Sequence, residues 1–95
     1  MVTVVAKNYV REEEVARFKE IAKQLETLTN QNDAGCILYR LYQDINDPTI
    51  FVFIEQWQDM QMLKNHFEAA HFIELVPQLR ALCSKQGETN LLSSD

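Results

Sequence analysis

The chain is short of the residues that usually announce a function. Its 95 residues include two cysteines, two glycines and two prolines, so it has no C-x-x-C pair, no glycine-rich phosphate loop and no proline-rich linker. Cys36 and Cys83 stand 47 positions apart in sequence without metal-ligand spacing. We read them as two reduced, partly buried thiols, although spacing alone leaves a disulfide open. No G-x-G-x-x-G follows a strand and no Ser–His–Asp order occurs, so nucleotide, flavin and triad-hydrolase chemistry have no support. Basic residues are few as well. Nine Lys and Arg against 14 Asp and Glu give a net charge of −5, which disfavours nucleic acid and anionic membranes as partners. The longest apolar run is far too short to span a bilayer. The N-terminus, M-V-T-V-V-A-K, lacks a basic start and a long apolar stretch, so no secretion signal is expected and the location expected is cytoplasmic.

What remains is an ordinary globular composition, and the expectation is one domain over residues 1–95, with a core over 1–83 and a C-terminal strand or tail over 84–95. Val2 to Tyr9 alternates as a strand, with Val2, Val4, Ala6 and Asn8 on one face. Val15, Phe18, Ala22, Leu25 and Leu28 recur at helical spacing, which predicts a long helix to about Thr29. The polar turn N-Q-N-D-A-G then closes on Gly35. Cys36 to Tyr42 reads as a second strand, D-I-N-D-P as a turn, and Ile50 to Trp57 as a third strand folded back on the second. A second helix should start at the cap residue Asp59 and continue past Phe67, with a kink or break near Val76 ahead of Pro77. Glu88 to Leu92 is a short candidate fourth strand.

The order βαββαβ predicts an α+β, ferredoxin-like antiparallel sheet with its helices on one face. The third strand is apolar on both sides: Ile50, Val52 and Ile54 on one, Phe51 and Phe53 on the other. Helices can cover only one of them. Pairing of the bare face with a second copy is therefore expected, giving a homodimer.

The chemistry-bearing residues cluster where the third strand meets the second helix. E-Q-W-Q-D at 55–59 followed by L-K-N-H-F-E-A-A-H-F at 63–72 resembles the signature of the antibiotic biosynthesis monooxygenase superfamily. V-T-V-V-A-K, G-C-I-L-Y-R-L-Y-Q-D and the D-P before the third strand fit the same pattern, so the similarity covers about residues 2 to 82. It implies a dimeric α+β barrel with a pocket between sheet and helices in each subunit. Members of that superfamily include cofactor-free oxygenases of quinols and polyketide phenols, haem-degrading enzymes and an isomerase of a phosphorylated signalling sugar. The haem branch uses an Asn in the first strand, a Trp on the second helix and an iron-ligating His ten residues beyond it. Asn8 matches, but His66 stands in the Trp position and Val76 in the ligand position, which argues against haem degradation.

His66 and His71 are five residues apart, about 140° on a continuous helix, so a shared metal face is not expected. His66, three residues after Leu63, should point at the pocket and serve as a general base, or else as a structural tie. His71 reads as structural, a cap or a contact at the dimer edge, and otherwise as part of the substrate site. Glu55 shares strand parity with Phe51, Phe53 and Trp57, so its carboxylate sits among aromatics, paired to Arg40 or Lys7 or raised in pKa. Asn8 would orient substrate. Trp57 reads as a core anchor or a platform for a substrate ring, and Phe53 as pocket lining. Tyr39 and Tyr42 lie on opposite faces of the second strand, so one at most faces the pocket, and Tyr42 is included among the substrate-binding candidates. The leading expectation is a small monooxygenase using neither metal nor cofactor, with a quinol or phenolic aromatic and molecular oxygen as its partners. An isomerase or proton-transfer enzyme on a small carbonyl compound, and a non-catalytic dimer binding a small ligand, are the alternatives.

Overall fold

A computed structural model describes residues 1–94. The first strand, β1 (Val2–Val10), is followed by a 3-10 turn at Glu12–Glu14 and the helix α1 (Val15–Asn32). Strands β2 (Cys36–Gln43) and β3 (Ile50–Trp57) form a hairpin. Asp44 accepts the backbone N–H groups of Asn46 and Asp47 in the connecting turn. Helices α2 (Met60–Phe67) and α3 (Ala70–Ala81) precede the last strand, β4 (Cys83–Ser93). The sheet order is β2-β3-β1-β4 with every pairing antiparallel, the expected ferredoxin-like arrangement.

Packing follows the apolar periodicities. Strand β3 alternates strictly, burying Phe51, Phe53, Glu55 and Trp57 while Ile50, Val52, Ile54 and Gln56 stay half-buried on the reverse. Helix α1 lays Phe18, Ile21, Ala22 and Leu25 on the buried face, and the Phe18 ring meets that of Phe51 at 5.0 Å. Burial of the Phe18, Ile21 and Leu25 side chains contributes about 1.5–3 kcal/mol each. Leu28, expected on this stripe, is exposed, and Thr29 takes the inward position. The helix runs on to Asn32, and Asp33 caps it by donating its N–H to Thr29 O.

Two elements differ from expectation. The second helix does break, but at Glu68–Ala69 rather than near Val76: Ala69 is extended (φ −67°, ψ 143°) and α3 continues through Pro77 to Ala81. The last strand is also longer than Glu88–Leu92, because Cys83 and Lys85 pair with Val10 and Tyr9 of β1 across register shifts that follow Lys7. Gly87 permits this close approach; a Cβ there would lie 2.4 Å from the Lys7 carbonyl oxygen. Among the described residues, no helix is long and apolar enough to cross a membrane.

Candidate active site

Strands β1, β2 and β3, the helices and the start of β4 enclose a cavity of about 760 Å³. Its walls include Val4, Ala6 and Asn8 from β1, Tyr39 from β2, Phe53 and Glu55 from β3, His66 and Phe67 from α2, and Phe72 and Val76 from α3. The volume suits a small organic molecule; the sheet and helix walls are largely apolar, while Lys7, Arg80 and the polar start of β4 (Ser84, Lys85, Gln86) add cationic and polar groups.

His66 occupies the middle of this arrangement. Asp59 starts α2 by accepting the Met62 N–H at 2.9 Å, and two turns later the chain delivers His66 onto the sheet. The imidazole is 2% exposed and boxed by rings: Trp57 at 4.7 Å between centroids, Phe72 at 5.0 Å and Tyr39 at 5.3 Å. Its Nδ1 lies 2.5 Å from Asp33 Oδ2, so Asp33 fixes the tautomer with the proton on Nδ1. Nε2, the other ring nitrogen, has no hydrogen-bond partner among the described residues, while the side chain lines the cavity. Burial lowers the pKa of His66, and the hydrogen bond and charge of Asp33 act in the opposite sense. A neutral imidazole oriented by a buried carboxylate is the arrangement that makes histidine a base.

Glu55 supplies the second titratable group. Burial raises its pKa to about 7, opposed by the hydrogen bond that Trp57 Nε1 donates to Oε1 at 3.0 Å. Neither expected ion pair forms. Arg40 lies across β2 against the Tyr42 ring, and the Lys7 ammonium lies over the Tyr9 ring. Asn8 lines the cavity, and its Nδ2 donates to Ala6 O and, at the limit of hydrogen-bond length, to Phe51 O. That leaves its carbonyl oxygen without a partner among the described residues. Tyr39, not Tyr42, faces inward; it is 4% exposed, and burial holds its phenol well above the ordinary pKa.

Three of the candidate substrate-binding residues lie outside the cavity wall. Tyr42 pairs with Val52 on the reverse face of the sheet, is 46% exposed and lines no part of the cavity. Trp57 is fully buried behind His66 and outside the cavity wall, so it supports the imidazole and Glu55 instead of offering a platform to a ring. His71 neither caps a helix nor lines the cavity. Its Nε2 sits 2.8 Å from Asp33 Oδ1, opposite the oxygen that meets His66. The 140° separation assumed a continuous helix; the break at Glu68–Ala69 turns both rings onto one carboxylate. Asp33 itself was missed. In sequence it is one polar residue in a polar turn, and only the return of α2 and α3 over the end of α1 gives it a role. The cysteines are free and half-buried, and burial pushes the Cys36 thiol up to about 11.

The architecture is thus a ferredoxin-like α+β fold holding a small cavity with a histidine in its wall. Residues 1–78 match the antibiotic biosynthesis monooxygenase family, and the chain belongs to that family. It resembles a solved antibiotic biosynthesis monooxygenase at 32% identity, with a TM-score of 0.95 over 100% of this chain and 99% of that one. A conserved protein from Methanosarcina mazei Go1 is 34% identical, with a TM-score of 0.93 over 99% and 92% of the two chains. An uncharacterized protein of Synechocystis is 31% identical over 62 residues, 65% of this chain. That match spans only 42% of the relative's length.

Proposed function

We propose that the protein is a small monooxygenase of quinols or electron-rich phenols that draws its electrons from the substrate. The observation carrying this reading is His66, with Nδ1 held by Asp33 and the ring set in the cavity wall. The family membership supports the oxygenase class. A phenol bound beside His66 gives its proton to Nε2. The phenolate passes one electron to molecular oxygen, the radical pair recombines as a peroxide on a ring carbon that bears hydrogen, and the peroxide takes the proton back from Nε2 to become a hydroperoxide. Loss of that ring proton with cleavage of the O–O bond yields a quinone carbonyl and water. One oxygen atom enters the product and the other leaves as water, so no external reductant is consumed.

The protein's share is to exclude water, position the ring and stabilise charge where it develops. Phe53, Phe67 and Phe72 provide the apolar walls. The free carbonyl of Asn8 accepts a second substrate hydroxyl. Glu55, protonated below about pH 7, can donate to a developing oxyanion. His71 stands behind the site, beside Asp33.

Replacement of His66 by Asn tests the assignment. The Asn amide can keep a donor toward Asp33 while removing the base. Turnover of a hydroquinone per folded molecule should fall by about two to four orders of magnitude. Turnover within about threefold of the original chain would refute His66 as the base.

A further inference from the structure

We infer that Asp33, His66 and His71 form a divalent transition-metal site whose occupation switches His66 from proton acceptor to proton donor. The three side chains come from the cap of α1, from α2 and from the first turn of α3, so the site exists only in the folded chain. One ligand atom from each lies within 4.8 Å of the others. Zinc about 2.0–2.1 Å from each of three donors in a tetrahedron holds those donors about 3.3 Å apart. In the structure His66 Nδ1 lies 2.5 Å from Oδ2 and His71 Nε2 lies 2.8 Å from Oδ1, so the two rings meet different oxygens of one carboxylate, each closer than two zinc ligands stand. Seating the ion requires these donors to open to that spacing, and the two histidines stand on separate helices, α2 and α3.

Two further features favour a cation. Asp33 is nearly buried, with 7% of its side chain exposed, yet no Lys or Arg pairs with it among the described residues. A buried carboxylate without a permanent positive partner is costly, and a divalent ion supplies the missing charge. In addition, His71 Nε2 is buried and close to Oδ1 but makes no aligned hydrogen bond with it. The ring therefore lies near the carboxylate without its N–H being used there. Two imidazoles and one carboxylate suit zinc, iron, nickel or copper more than magnesium or calcium.

The ion's position decides its effect. Neither Asp33 nor His71 lines the cavity, so an ion between them lies behind His66 and presents no open face to substrate. It acts through the His66 ring. Without metal, neutral His66 carries its one proton on Nδ1, toward Asp33, and offers Nε2 to the cavity. A metal on Nδ1 displaces that proton to Nε2, which then has no lone pair for a phenol. Zinc is accordingly an inhibitor of the base-dependent reaction. This last step rests on the function proposed above; the binding does not.

Zinc titration of tag-free, chelator-treated protein, followed by calorimetry and thermal unfolding, tests the site. One ion per chain should bind at micromolar concentration or below, raise the melting temperature, and bind at least tenfold more weakly to His71→Ala and Asp33→Asn. Imidazole nitrogen NMR of the original chain provides a readout independent of any variant's folding. The chain contains only two histidines, so both sets of ring signals belong to the proposed ligands. Zinc should move His66 Nδ1 and His71 Nε2 to metal-bound shifts and place the remaining protons on His66 Nε2 and His71 Nδ1. Absence of binding at 100 μM zinc, or binding that leaves both histidine signals unmoved, would overturn the site. Binding with the expected shifts but undiminished quinol turnover would overturn the switch and count against His66 as the base.

Discussion

Glu55 shows how much a single position discloses and where disclosure stops. Its parity with Phe51, Phe53 and Trp57 placed a carboxylate among aromatics, and the structure buries it there, 5% exposed. The choice between an ion pair and a raised pKa depended on which faces Arg40 and Lys7 take, and both turn away. The consequence is a pH dependence of stability. The folded-state pKa, about 7, lies above the ordinary 4.5, so the folded chain binds this proton more tightly than the unfolded chain. The associated stability is complete below about pH 4.5 and declines as pH rises toward and through 7, by about 3 kcal/mol in total. Unfolding free energies at pH 5 and pH 8 should therefore converge in Glu55→Gln, which keeps an acceptor for Trp57 and never ionises. An unchanged difference between the two pH values in that variant would show that Glu55 does not titrate with folding. Asp33 is the contrasting residue. Nothing local distinguishes it from Asn30, Asn32 or Asp44, and its partners lie 33 and 38 positions away in sequence.

Elements were legible where side-chain period and caps agreed. Strand β3 and the Asp59 cap of α2 are cases of this kind, since burial alternates along the one and a side chain closes the other. The break at Glu68–Ala69 was not legible, because E-A-A is good helix sequence with no glycine or proline. Propensity differences there amount to tenths of a kcal/mol per residue. The inward turn of His71 toward Asp33 and the packing of α3 on α1 accompany the break. Pro77, the residue expected to interrupt the helix, lies within α3. Strand β4 was only partly legible because its first half is polar and its edge is exposed. The two faces of β3 lead to a prediction at this scale. All helices pack against the face of Phe51 and Phe53, leaving Ile50, Val52 and Ile54 on the other with Val5 of β1 beside them. We propose that a second copy covers this face, and light scattering at micromolar concentration should give about twice the 11.1 kDa chain mass. A folded monomer at that concentration would contradict the pairing, and with it the dimeric barrel.

At the scale of the whole molecule, the fold class and the cavity's location followed from element order and from the resemblance carried by residues 55–72. The composition of the cavity did not, because it depends on register. One residue of strand slip would exchange Tyr39 for Arg40 and Asn8 for Lys7. The β3 register with β1 and β2 brings Asn8, Tyr39, Phe53 and Glu55 to one surface, and α2 lowers His66 onto it. We propose that this cavity, with its own side chains and a reducing aromatic, is enough to activate oxygen. The direct measurement is oxygen consumption by chelator-treated protein, free of flavin absorbance, supplied with a panel of hydroquinones and phenols under ¹⁸O₂. The expected result is catalytic uptake of one O₂ per substrate for at least one member of the panel, with one labelled oxygen in the quinone product and the other in water. Uptake that appears only when flavin, metal or an external reductant is added, or no uptake above the protein-free rate across the panel, would contradict it.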